Sequence, residues 1–99
     1  MFGIIIGVES MKLYKYMDNR CNASGQKIKE LREAAGLSQE QLAAKLQLTG
    51  LNLNQKAISR IETGERVVPD FELLYFSEVL NTSICTLLDK DNFFKTLDK

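Results

Sequence analysis

The stretch from residue 37 to residue 64 reads LSQEQLAAKLQLTGLNLNQKAISRIETG, and it contains start and stop signals for two consecutive helices. Ser38 can cap the first helix with its hydroxyl, and Gln41 stands three residues on, where it completes a capping box. Asn54 supplies a second N-cap, and Gly64 can end the second helix in a left-handed conformation. The stretch therefore predicts two short helices joined by a turn.

The flanking sequence predicts three more helices. Apolar residues recur at helical spacing from Ser24 to Gly36, so one helix precedes the two described above, which are then the second and third helices of the chain. The same spacing returns in a fourth helix that starts at residues 69–70. A short fifth helix follows, capped by either Thr82 or Ser83. Five short helices without an alternating strand pattern make the expected fold class all-α.

The chain of 99 residues is long enough for one domain with a single core, and we assign residues 24–88 to that domain. Residues 1–23 are expected to be an N-terminal extension, which is either a flexible arm or added strand, or a segment upstream of the natural start. Residues 89–99 form a C-terminal tail. The apolar run from Phe2 to Val8 is too short to span a bilayer, so no membrane partner is expected.

The composition argues against an enzyme. Histidine is absent, which removes the commonest general base and the commonest metal ligand. Cys21 and Cys85 lie far apart and outside any zinc-type grouping, so we expect reduced thiols in a cytoplasmic protein. Neither a nucleophile with a neighbouring base nor a phosphate-binding glycine loop is evident. We therefore expect no catalytic residue, no metal and no cofactor.

The charged residues are unevenly distributed, although the formal net charge is zero. Residues 22–66 contain seven basic and five acidic side chains, whereas residues 67–88 contain three acidic and no basic ones. The excess of positive charge falls in the part that contains the two central helices, which favours a nucleic-acid partner there. An ordinary solvated surface is the alternative explanation for the same distribution.

Three runs of the sequence occur together in an order that resembles a known family. They are LREAAGLSQEQLAAKL at residues 31–46, NQKAISRIETGER at residues 54–66 and DFELLYFSEVLNTSICTLL at residues 70–88. Together they resemble the Cro/phage-repressor family of helix-turn-helix proteins, also called the xenobiotic-response-element type. The resemblance implies a five-helix lambda-repressor-like domain that binds double-stranded DNA as a homodimer and regulates transcription, with repression as the expected mode.

The sequence departs from the family pattern at the turn. Seven residues, 47–53, separate Leu46 from Asn54, where the usual turn is much shorter. These residues form either a longer loop or an extra turn of the second helix followed by a loop. Contacts that the turn itself makes in the family are therefore left open for this chain.

The outer face of the third helix carries the candidate base-contacting residues. Ile58 and Ile61 turn one side of this helix toward the core. The opposite side holds Gln55, Lys56, Ser59 and Arg60. Glutamine can pair with adenine, and arginine or lysine with guanine, in a major groove that admits a helix. The alternative is a plain solvated helix surface, and the resemblance favours base contact over it.

A second group of residues is expected to contact DNA phosphates, and it consists of Gln39, Lys27, Arg66 and Asn54. The resemblance places Gln39 at a family position that meets the DNA backbone, and the amides of a helix N-terminus favour a phosphate there. The ordinary polarity of a helix N-terminus explains Gln39 equally well. Matching family positions also imply an internal ion pair between Arg32 and Glu62.

Apolar residues outside the predicted core suggest a partner surface. Leu74, Tyr75 and Val79 fall off the inward stripe of the fourth helix, and Phe93 and Phe94 follow the domain. We expect a homodimer that forms through helix five and the tail, although a core that wraps more widely explains the same residues. A second hypothesis is an antitoxin-like or regulator-binding protein-interaction module. The sequence shows no separate small-molecule effector domain.

Overall fold

The structure, a computed structural model, describes residues 15–89. Its five α-helices are α1 (Gly25–Ala34), α2 (Gln39–Thr49), α3 (Gln55–Thr63), α4 (Asp70–Val79) and α5 (Ile84–Leu88). A 3₁₀ turn at Met17–Asn19 precedes them, and the described residues contain no β-strand beyond one isolated bridge between Tyr16 and Arg20. The all-α fold with five helices that the sequence predicted is confirmed.

The extension up to residue 14 and the tail from residue 90 lie outside the described residues, and with them the predictions made for Phe93 and Phe94. Between residues 15 and 89, no helix is long and apolar enough to cross a lipid bilayer.

The helix ends are fixed by the side chains that the sequence predicted. The Ser38 hydroxyl accepts a hydrogen bond from the backbone N–H of Gln41 at 3.0 Å, and the Gln41 side-chain oxygen accepts one from the backbone N–H of Ser38 at 2.8 Å. The Asn54 side chain caps α3, and the Ser83 hydroxyl caps α5. Gly64 follows α3 with a φ of 87°, which is strained for any residue with a Cβ. The predicted capping box, the Asn54 cap and the glycine stop are confirmed.

The lengthened turn between α2 and α3 is partly helical. α2 continues through Thr49, and Gly50 ends it with a φ of 109°. The following loop turns Leu51 and Leu53 into the core, where they are 8% and 7% exposed. Gln47 donates from Nε2 to the carbonyl oxygen of Leu53 at 2.9 Å, which ties the loop back to the helix. Of the two conformations predicted for this segment, the structure has the extra helical turn followed by a loop.

The core lies where the five helices meet. Seven of its side chains are fully buried, and they come from every helix: Ile28, Leu42, Leu46, Ile58, Ile61, Phe76 and Leu87. α3 packs against both α1 and α2 and contributes Ile58 and Ile61 to this core. Ala43 on α2 is also buried, as expected for a small residue where two helices approach closely. Packing therefore fixes which side of α3 is buried and which side faces solvent.

Residues just before Ser24, where the predicted domain starts, make contacts with the helices. Asn22 is only 7% exposed. Its Nδ2 donates to the carbonyl oxygens of Ile61 and Arg66 at 2.9 and 2.7 Å, and its Oδ1 accepts from the backbone N–H of Gly25 at 2.8 Å. Asn22 thus joins the start of α1 to the end of α3. Helical periodicity does not identify such a residue, because two of its partners lie 39 and 44 positions along the chain.

Arg20 and Cys21 extend this attachment. The backbone N–H of Cys21 donates to the carbonyl oxygen of Gly64 at 2.7 Å, and Arg20 Nη2 donates to the carbonyl oxygen of Glu62 at 2.9 Å. The last carbonyls of a helix lack partners within the helix, and a positive charge beside them is favourable. A Cβ at Gly64 would lie 2.8 Å from the Arg20 side chain, so this glycine also leaves room for the contact.

We predict that Asn22→Ala destabilises the fold, because the backbone groups of Gly25, Ile61 and Arg66 lose a buried partner. The buried N–H of Gly25 is left unsatisfied, which costs about 1–3 kcal/mol, so the free energy of unfolding should fall by about that amount. Chemical denaturation measures it. Asn52→Ala, in the exposed part of the α2–α3 loop, is the control and should change stability by less than about 0.5 kcal/mol. Equal effects of the two substitutions would contradict the prediction.

Candidate nucleic-acid interface

The solvent-facing side of α3 is polar. Gln55, Lys56 and Arg60 are exposed, and Ser59 is half-buried. The first two begin the helix, and Arg60 lies about one turn farther along the same element. Three of the four residues that the sequence predicted for base contact therefore share the free surface of α3, whereas Ser59 lies partly within the packed side.

A shallow open cleft lies at the N-terminal ends of α2 and α3. Its lining residues are Arg32, Ser38, Gln39, Glu40 and Gln55. Gln39 and Gln55 are each the first residue of their helix. Two helix N-termini side by side present backbone N–H groups and partial positive charge, which suit an anion. The carboxylate of Glu40 in the same cleft offsets part of this potential.

A buried ion pair lies directly beneath the cleft. Arg32 on α1 donates from Nε to Glu62 Oε2 at 2.6 Å and from Nη2 to Glu62 Oε1 at 3.1 Å. The two side chains are 10% and 3% exposed. Arg32 also donates from Nη1 to the carbonyl oxygen of Leu37 at 2.7 Å, just before α2 begins. The hydrogen bonds with Glu62 raise the pKa of Arg32 above its usual value, although burial opposes the shift.

Gln39 connects this ion pair to the surface of α3. Its Nε2 donates to Glu62 Oε1 at 2.9 Å, and its Oε1 accepts a hydrogen bond from Gln55 Nε2 at 2.6 Å. The sequence predicted Arg32 and Glu62 as a pair and both glutamines as DNA contacts. It did not predict that the four side chains form one hydrogen-bonded series, because no local pattern joins positions on three different helices.

A comparison with protein-family models decides the class of this domain. The model described as a helix-turn-helix domain matches residues 24–87, which is more than half of the chain. The chain belongs to the helix-turn-helix domain family. No curated protein and no solved structure matches it. Arg20 and Asn22, which hold the end of α3, lie outside the matched part of the chain.

Arg66, an expected phosphate contact, has a partner inside the helix-turn-helix domain. Its Nη1 lies 2.8 Å from Glu72 Oε1 and its Nη2 lies 3.1 Å from Glu72 Oε2, in a two-pronged ion pair. Glu72 is only 4% exposed. The hydrogen bonds with Glu72 raise the pKa of Arg66, while burial opposes the shift. The sequence predictions did not include this pair, and the only available signal was the acidic first turn of α4.

Lys27 and Asn54, the other expected phosphate contacts, lie in different surroundings. Lys27 Nζ lies 3.2 Å from Glu30 Oε1 on the same helix, α1. Lys27 also lines a polar depression together with residues 16–18 and Asp89. This depression shares no lining residue with the cleft at Gln39 and Gln55, so the structure does not bring Lys27 to that cleft. Asn54 lies directly before α3, where its Oδ1 accepts from the backbone N–H three residues on.

The apolar residues that the sequence placed outside the core divide into two kinds. Tyr75 and Val79 pack against the core of the helix-turn-helix domain, as the wider-core alternative had it. Leu74 is 63% exposed, and Phe71, one turn earlier on α4, is 55% exposed. Leu48 on α2 is 89% exposed and was not singled out from the sequence.

We predict a strong coupling between Arg32 and Glu62 in the free energy of unfolding. Arg32→Leu or Glu62→Leu leaves the other charge buried without its partner, which costs about 3–5 kcal/mol. The double variant leaves neither charge behind and should lose much less than the sum of the two. A double-mutant cycle by urea unfolding measures the coupling.

The Lys27 and Glu30 pair is the matched control for this cycle. Glu30 is exposed, with 66% of its side-chain surface accessible, and the two residues lie three positions apart on one helix. The coupling of such a surface pair should stay below about 1 kcal/mol. Additive losses at Arg32 and Glu62 would show that the ion pair does not support the fold.

Proposed function

We propose that this chain is a sequence-specific DNA-binding transcriptional regulator of the Cro/phage-repressor type. The observation that carries the proposal is the polar face of α3, on which Gln55, Lys56 and Arg60 are exposed together. This face belongs to a helix-turn-helix domain, and DNA-binding domains of that kind place their second motif helix in the major groove.

In the proposed complex, α3 lies in the major groove and its side chains contact base edges. The carboxamide of Gln55 can pair with adenine, and Lys56 and Arg60 can donate to the two acceptors of guanine. Ser59 is short and half-buried, so its contribution is smaller. The packing of Ile58 and Ile61 holds the helix with this face outward, which supports the assignment.

Phosphate contacts are proposed at the N-termini of α2 and α3, where Gln39 and Asn54 lie. A phosphate there receives hydrogen bonds from first-turn amides and lies at the positive end of two helix dipoles. Arg66 and Lys27 should contribute less to phosphate binding, because each already forms an ion pair, with Glu72 and Glu30 respectively. The phosphates would position the domain, and α3 would supply the sequence preference.

The active form is proposed to be a cytoplasmic homodimer that acts as a repressor. A two-fold axis would present two copies of α3 about 34 Å apart, on one face of the duplex. We place the contact at α5 and the tail that follows it, where Leu88 is 36% exposed. A dimer that occupies a promoter blocks transcription by its presence alone, so repression needs no further activity.

A protein-interaction module of the antitoxin-like or regulator-binding kind is the second candidate. The observation that favours it is the exposure of Phe71 and Leu74, which lie one turn apart on α4. Neighbouring exposed apolar side chains of this size are typical of surfaces that bind another protein. In this case the polar face of α3 need not select a base sequence.

The direct test is selection of bound fragments from a random DNA pool, followed by titration of single variants on the selected site. We expect a palindromic site. Gln55→Ala, Lys56→Ala or Arg60→Ala should each cost about 1–3 kcal/mol on it and relax the choice at one base position, if the residue makes a two-pronged base contact. Gln55→Ala should leave binding to unrelated DNA unchanged, because no charge is removed.

Gln26→Ala is the matched control for Gln55, since Gln26 is an exposed glutamine that lines the separate depression near Lys27. Its removal should change neither affinity nor preference. If the three α3 variants also keep full affinity and full preference while they stay folded, α3 is not the base-contacting element. The protein-interaction module then becomes the better assignment.

We predict that sedimentation finds a dimer, either free or on DNA, and that Leu88→Glu weakens it. A charge introduced at a packed apolar contact must be desolvated without a partner, which disfavours association. Leu48→Glu, at an exposed position on α2, is the control and should leave the dimer intact. A monomer in both conditions for the unaltered chain would reject the homodimer.

A further inference from the structure

One face of α4 is apolar in its middle and acidic at both ends. Phe71 and Leu74 are 55% and 63% exposed, and they lie three positions apart on the helix. Asp70 directly precedes this pair, Glu78 follows it one turn beyond Leu74, and both carboxylates are exposed. The four residues, which we call the α4 face, fall within about one third of the helix circumference. Since α4 contains no basic residue, this face fits an apolar segment with positive charges on both sides.

A shallow apolar depression adjoins the α4 face on the side of α2. Its lining residues are Thr49, Leu74, Tyr75 and Glu78, and its volume is about 310 Å³. This volume is at the lower end of the range for ligand pockets, so the depression suits a large side chain better than a cofactor. An aromatic ring placed there would cover the exposed surface of Leu74.

Residues 90–97, KDNFFKTL, have the complementary pattern. They belong to the tail, which lies outside the described residues. Phe93 and Phe94 are flanked by Lys90 and Lys95, and Asp91 is the one acidic residue of the segment. The two lysines are about 17 Å apart in an extended chain, and the two ends of the α4 face are about 12 Å apart along the helix. The lysines can therefore reach both carboxylates while the phenylalanines cover the apolar middle.

The point at which the tail leaves the domain favours a second copy as the source of this segment. Asp89, the last described residue, lines the depression near Lys27 on α1, whereas the α4 face adjoins Thr49 on α2. The two depressions share no lining residue, so the tail starts beside a different helix from the one that borders the face. The tail also follows Leu88 directly, where the proposed homodimer has its contact. In a two-fold dimer the same exchange occurs twice.

We propose that the tail of each chain docks on the α4 face of a second copy through Phe93 and Phe94. The proposal rests on the proposed homodimer and names the surfaces that complete it. Burial of Phe71 and Leu74 against the two phenylalanines supplies the free energy, and the flanking opposite charges set the alignment. Because face and tail belong to the same chain, no other protein is needed to cover the exposed side of α4.

Leu74→Asp tests the face, with Leu48→Asp as the matched control. Leu48 is more exposed, at 89%, and it does not line the depression. A charge at position 74 must be desolvated in the contact, so the dissociation constant of the dimer should rise by at least about tenfold. The change for Leu48→Asp should stay below about twofold. Sedimentation equilibrium measures both. Equal dimerisation of the two variants assigns the face to a different protein partner and overturns the proposal.

Charge reversal tests whether the tail comes from the other copy. Glu78→Lys gives both the face and the tail positive charge, and Lys90→Glu/Lys95→Glu gives both negative charge. Each variant alone should dimerise at least about tenfold more weakly, because like charges meet at both contacts. An equimolar mixture should recover the dimer as a heterodimer, in which each tail meets a face of opposite charge. A tail that folds back onto its own chain gains nothing from mixing, so a mixture that stays monomeric overturns the proposal.

Nuclear Overhauser effects in the unaltered protein supply a measurement that does not depend on the folding of any variant. In a mixture of ¹³C-labelled and unlabelled full-length chains, isotope filtering selects contacts between copies. We expect such contacts between the Leu74 methyl groups and the rings of Phe93 or Phe94. Their absence in a dimeric sample contradicts the exchange.

These outcomes are separate from those for DNA binding. If the chain selects no DNA sequence but the charge-reversed mixture recovers the dimer, the proposed regulator fails and the tail exchange stands. If the chain selects a palindromic site while Leu74→Asp and both charge variants dimerise like the unaltered chain, the tail exchange fails and the regulator stands. An unaltered chain that is monomeric, free and on DNA, overturns the exchange whatever its sequence preference is.

Discussion

Burying a guanidinium and a carboxylate is costly unless both charges and all their hydrogen-bonding groups find partners. At Glu62 those partners come from α1 through Arg32 and from α2 through Gln39, while the carboxylate itself belongs to α3. Arg32 also binds the Leu37 carbonyl, which fixes where α2 starts. The ion pair therefore constrains the relative positions of three helices, and the surface that α2 and α3 present depends on it.

α3 is held at both ends by polar contacts as well as by its apolar side. At its start, Gln55 is bonded to Gln39, and at its end the carbonyls of Ile61 and Glu62 accept from Asn22 and Arg20. These contacts supply partners for groups that a short helix leaves unsatisfied. A helix fixed in this way can present a constant set of side chains, which a sequence-selective contact requires.

The long connection between α2 and α3 does not disturb this arrangement. One extra helical turn ends at Gly50, and Leu51 and Leu53 then return the chain to the core. Two buried leucines in a short loop restrict where α3 can begin. The N-termini of α2 and α3 are adjacent, and the side chains of Gln39 and Gln55 are hydrogen-bonded there.

The sequence by itself determined the features that local chemistry controls. Capping residues such as Ser38 act within three positions of themselves, and helical periodicity located α3's buried face. The family resemblance supplied the Arg32 and Glu62 partners. Only the tertiary structure decided that Arg66 binds Glu72, that Asn22 binds the end of α3, and that two glutamines connect the ion pair to the surface. Those contacts depend on side-chain directions and on how separate segments pack, and neither is encoded in a local pattern.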